Sequence, residues 1–143
     1  MGWTYYDSTT LPRLYDIVWC RFPEEEPFEP GPKVRPALVR GVKIDRTSGR
    51  GAVKVSYGTT KLKTFTRRRQ DLIIQNTAAL AEIGLPMATR FDLDQTNTLP
   101  WCAEFFCIPR SCKSITVGRL NQANILRLEV ILRRRGIIPA AET

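Results

Sequence analysis

Turn-forming residues cut this chain into short pieces. Between Pro12 and Leu120 its apolar residues come in runs of a few positions, each bounded by proline, glycine or clusters of Asp, Asn, Ser and Thr. Only beyond Leu120 does a sustained helical stripe appear. Such a pattern excludes a bundle of long helices and predicts a sheet of short strands with one appended helix. At 143 residues the chain is long enough for a single domain with its own core.

Strands are expected at Leu14–Phe22, Pro36–Val42, Val53–Tyr57, Leu72–Ile74, Ala88–Leu93 and Ala103–Ile108. The last of these is apolar almost throughout, which suits a core or a homodimer interface. Pro23 to Pro32 reads as a loop, Ile44 to Gly51 as a hairpin turn, and Lys61 to Arg69 as a basic hairpin or loop. Asp94 to Pro100 reads as a connection. Thr77 is placed to cap a short helix through Ile83, closed by Gly84 and Pro86.

The final helix, 121–135, carries the clearest signals. Asn121 is its expected cap, and Leu120 and Ile125 stand at the positions of a hydrophobic staple. Ile125, Leu128 and Leu132 form a stripe joined by Leu126 and Val130. Arg133 to Arg135 complement the negative helix end, and Gly136 stops it. Residues 1–13 read as a loosely attached arm, 14–136 as the domain and 137–143 as a tail. The expected fold is mainly β, a small barrel of about five to seven strands with a C-terminal α-helix.

Charge narrows the partners. The net charge is +8, and Lys33 to Arg69 holds twelve basic residues and one acid, Asp45. Glu24, Glu25, Glu26 and Glu29 lie just before that block. The block points to an anionic partner, either nucleic acid or an acidic protein segment. No run approaches the length of a membrane span and the start lacks the regions of a secretory signal, so a cytoplasmic location is expected.

The chain has no histidine. That removes Ser-His-Asp triads, Cys-His pairs, histidine-ligated metals and two-histidine ribonucleases. The cysteines at 20, 102, 107 and 112 lack a close CxxC pair and read as small apolar fillers, so no metal and no cofactor is expected.

Three segments, in order, resemble the PemK/MazF family of bacterial toxins. Tyr15-Asp-Ile-Val-Trp19 is similar to the family's opening strand, Lys33-Val-Arg-Pro-Ala-Leu-Val39 to its R-R-P-A-L-V signature, and Asp94-Gln95 with Thr98 to its D-Q-x-R-T segment. Val55-Ser-Tyr-Gly-Thr59 and the Gly118-Arg-Leu120 step into the last helix also fit. The resemblance implies an SH3-like or Kid/CcdB-like plasmid-maintenance toxin fold, usually a homodimer. It also implies an endoribonuclease restrained by an antitoxin with an acidic C-terminal segment.

Metal-free RNA cleavage uses the substrate's 2′-hydroxyl as nucleophile and needs a base, a positive group for the phosphate and an acid for the leaving oxygen. Without histidine, a carboxylate and arginines must supply these. Carried over from the resemblance, Arg35 is the phosphate-binding and transition-state residue, Thr59 or Thr60 a hydrogen-bond donor to phosphate, and Asp94 the base. Lys33, Lys61, Lys63, Arg67, Arg90 and Gln95 complete the expected contacts with single-stranded RNA. Asp92 and Asn97 stand where the best-studied branch has arginines. The alternative is a non-catalytic relative that binds nucleic acid or an acidic protein through the same basic block.

Overall fold

A computed structural model describes residues 2–25, 28–63 and 70–138. A short 3-10 turn, Ser8–Thr10, precedes β1 (Asp16–Cys20), β2 (Arg35–Ile44), β3 (Gly51–Thr59) and β4 (Leu72–Ile74). Then follow α1 (Thr77–Ile83), β5 (Thr89–Pro100), β6 (Thr116–Arg119) and α2 (Gln122–Arg134). The six strands form one antiparallel sheet in the order β4-β5-β3-β2-β1-β6, curled into a half-barrel.

β1 and the first half of β2 are covered on both faces, which is why Ile17-Val-Trp19 and Ala37-Leu-Val39 are apolar without alternation, whereas β3 exposes Lys54 between buried Val53 and Val55. On one face Val18, Cys20, Ala37, Val39, Val53 and Val55 pack with Leu99, Trp101, Phe105 and Phe106. On the other, Ile17, Leu38, Leu72, Ile74 and Phe91 pack with Ile83 of α1 and with Leu120, Leu128 and Leu132 at α2.

Both helices are capped by side chains. Asn76, one residue before the expected cap Thr77, accepts from the N–H groups of Ala78 and Ala79, and Gly84 ends α1 at φ 96°. Asn121 accepts from the Asn124 N–H at the start of α2. The buried face of α2 differs from the expected stripe: Leu126 and Val130 are exposed, and Asn124 is buried with Leu128 and Leu132. Asn124 is satisfied there, donating to Asn121 Oδ1 at 2.8 Å and accepting from Arg127 at 2.8 Å.

Two segments differ from expectation more broadly. Asp94 to Pro100 is not a connection but the second half of β5, pairing with β3 from Thr96↔Ser56 to Pro100↔Ala52. Ala103 to Ile108 is not a strand. It is a run of turns whose Phe105 and Phe106 fill the chain's own core.

The N-terminal arm is also held more firmly than expected. Thr4 donates from its N–H and its hydroxyl to the Glu104 carboxylate, each at 2.8 Å. Tyr5 bridges Cys102, the Tyr6 N–H donates to the Trp101 carbonyl at 3.0 Å, and the Tyr6 hydroxyl donates to the Phe106 carbonyl at 2.7 Å. Among the described residues, no helix is long and apolar enough to cross a membrane.

Candidate functional site

Arg35 opens β2 opposite Cys20 of β1, and Glu24, from the segment that follows β1, lies beside it. Its guanidinium lies 5.9 Å from the Tyr57 ring centroid. Among the described residues, its Nε–H is buried without a hydrogen-bond partner, and the nearest carboxylate, Glu24 Oε1, is 3.9 Å away. That separation is too long for a hydrogen bond, so this donor has no acceptor among the described residues.

Arg35 lines a pocket of about 190 Å³ with Trp19, Thr59, Thr60 and Met87. The Thr59 hydroxyl accepts from the Lys61 N–H at 3.1 Å, which leaves its own proton available to a ligand. Thr59 is buried; Thr60, Lys33, Lys61 and Lys63 are exposed around the same end of the sheet. Gly58 is required beneath this pocket, because a β-carbon there would overlap the Pro36 carbonyl oxygen.

Asp94 and Gln95 lie elsewhere. Between Ser56↔Thr96 and Tyr57↔Asp92 the β3–β5 register slips, so Leu93, Asp94 and Gln95 form a bulge. Asp92 is buried at its base. It accepts from the N–H groups of Asp94 and Gln95 and from Gln95 Nε2 at 3.0, 3.2 and 3.0 Å. Asp94 projects from the bulge into an ion pair with Arg135 at the end of α2.

Arg90 is enclosed. It donates to Asp71 at 2.7 Å and to the Lys61 carbonyl at 2.8 Å, lies 3.5 Å from Asp92, and its side chain is 10% exposed. A buried arginine between two carboxylates holds β4 to β5 and has little surface left for RNA. Arg67 lies outside the described residues.

The structure therefore brings Arg35, Thr59 and Thr60 together and sets Asp94 and Gln95 apart in the bulge, while Arg90 pairs with Thr59 across the sheet but turns its guanidinium to Asp71 and Asp92. Arg40 borders the bulge, donating to Ser56 Oγ at 3.1 Å. Burial presses its guanidinium below the usual range; Tyr15 opposes this and Arg135 adds to it. Glu24 is the residue that the strand pattern alone does not find. The only signal for it is that β1 and β2 pair as neighbours, which returns Glu24 to the start of β2.

No protein-family model matches the chain, and no curated protein matches it in sequence.

Proposed function

We propose that the protein is a metal-independent endoribonuclease of the PemK/MazF toxin type, acting on single-stranded RNA at the Arg35 pocket. The observation that carries this reading is the buried Arg35 Nε–H with no partner among the described residues and a carboxylate 3.9 Å away. An unused guanidinium donor at the wall of a pocket suits a phosphate oxygen.

In this reading Arg35 and a threonine hydroxyl, Thr59 or Thr60, hold the scissile phosphate. Glu24, 3.9 Å from the arginine, accepts the proton of the 2′-hydroxyl as that oxygen bonds to phosphorus. The bond to the 5′-oxygen breaks and that oxygen takes a proton from water. The products are a 2′,3′-cyclic phosphate and a 5′-hydroxyl. A second copy of the chain and an antitoxin with an acidic C-terminal segment are the proposed protein partners.

One observation favours a second reading, a binding module without cleavage. Asp94 and Arg90, both expected at the site, are engaged with Arg135 and Asp71 instead. Incubating purified protein with long RNA, with and without EDTA, separates the two. Cleavage in EDTA with cyclic-phosphate ends supports the nuclease; binding without any cleavage favours the module.

A further inference from the structure

A second concavity, of about 720 Å³, lies at the far end of the β2–β3 hairpin. Lys43 on its wall is roughly 26 Å from Arg35 along β2, at ~3.3 Å per residue. Trp3, Tyr5, Asp45, Arg50 and Thr98 also line it. A smaller hollow of about 260 Å³ shares Lys43 and Thr98 with it and adds Lys54. Lys54 pairs with Thr98 in the sheet, so the two hollows run on as one groove across β2, β3 and β5.

The groove has two chemical features together. Its charge is positive: Lys43, Arg50 and Lys54 face one acid, Asp45. That carboxylate is already accepting from the N–H groups of Thr47 and Ser48, at 2.7 and 3.1 Å. Its other feature is aromatic. The Arg50 guanidinium lies over the Tyr5 ring at 4.6 Å from the centroid, and Trp3 packs against Phe105 at 5.1 Å. Both rings come from the N-terminal arm, whose contacts with Trp101, Cys102, Glu104 and Phe106 hold them in place.

We propose that this groove binds single-stranded nucleic acid, with the cations on the phosphates and the Tyr5–Arg50 stack and Trp3 offering faces to the bases. Cations interleaved with rigid ring faces are what an unpaired strand can use. An acidic peptide would use the charges and leave the rings idle, and a duplex keeps its base faces closed. The site is separate from the Arg35 pocket and does not depend on cleavage there.

The test is fluorescence anisotropy with a labelled 2′-O-methyl oligouridylate, which cannot be cut by 2′-hydroxyl attack. Replacing both Lys43 and Lys54 by Ala should lower the salt slope of binding by about 1.4, at ~0.7 per single-strand phosphate. Tyr5→Ala should weaken binding by about 5- to 150-fold through lost stacking. Tyr5→Phe, which keeps the ring, should bind as the unaltered protein does, and this separates stacking from damage to the arm. An unchanged slope together with unchanged Tyr5→Ala affinity would overturn the proposal. Duplex RNA bound as tightly as the single strand would also overturn it. So would displacement of the oligonucleotide by oligoglutamate with no effect of Tyr5→Ala, which would assign the groove to an acidic protein segment.

Discussion

Arg135 and Asp94 form an ion pair that ties the C-terminal cap of α2 to the bulge of β5. The Asp94 side chain is 51% exposed, so the pair is worth about 0.2–1 kcal/mol. Asp94→Asn should lower stability by that small amount in a denaturant titration and leave the rate of RNA cleavage unchanged. Glu24→Gln should instead slow single-turnover cleavage by about 100-fold or more, the range of a lost general base. The reverse result would return the base to Asp94.

Arg35→Ala removes the cation that meets charge developing on the phosphate. Cleavage should fall by about 100- to 1000-fold. Filter binding of the same RNA should weaken far less, because the other basic residues still supply the salt-dependent term.

Gly118 of β6 lies against the end of α1, where an added β-carbon would overlap the Ile83 carbonyl oxygen. Backbone cannot yield as a side chain does, so β6 and α1 must separate. Gly118→Ala should destabilise the fold by about 1–3 kcal/mol or more in chemical denaturation.

All four cysteines carry free thiols, and burial pushes those of Cys20 and Cys102 up from their usual range. Only the thiolate reacts with alkylating reagents. Iodoacetamide near neutral pH should label the half-buried Cys112 and spare Cys20 until the protein is denatured, as read by peptide mass.

The arm should loosen in acid. The Thr4 N–H and then its hydroxyl hold the Glu104 carboxyl below its ordinary value of 4.5. A depressed folded value means that the anchor is fully present above about pH 4.5 and is lost as pH falls through the lower, folded value. Hydrogen exchange at the Thr4 amide, corrected for its intrinsic pH dependence, should therefore quicken on acidification. In Glu104→Gln, the exchange rate corrected for intrinsic pH dependence should not change across that window.

The two helices and β4 were legible because their signals are local. Asn121 caps α2, Gly84 ends α1, and Leu72–Ile74 is bounded by polar residues. The second half of β5 was not legible. From Asp94 onward β4 no longer flanks it, so the strand has β3 on one side only and carries Gln, Thr and Asn rather than apolar residues. Ala103 to Ile108 misled for the opposite reason: a buried turn under the arm needs the same apolar residues as a buried strand. At the site, Arg35 and Thr59 were offered by the family resemblance, and the pairing of β2 with β3 sets their strands side by side. The positions of Asp94 and Glu24 depend on a three-residue bulge and a returning loop, and neither leaves a periodic trace.

The pairing of β1 with β6 joins Asp16 to Arg119, 103 residues further along the chain. During synthesis from the N-terminus, β1 can align with β2 early, but its other edge stays open until β6 has emerged. Leu128 and Leu132, which cover Ile17 and Leu38, arrive later still. A ribosome stalled anywhere before β6 thus carries a sheet with one bare edge and one uncovered apolar face. The order of residues sets the order of assembly, and the closing step waits for β6 and α2.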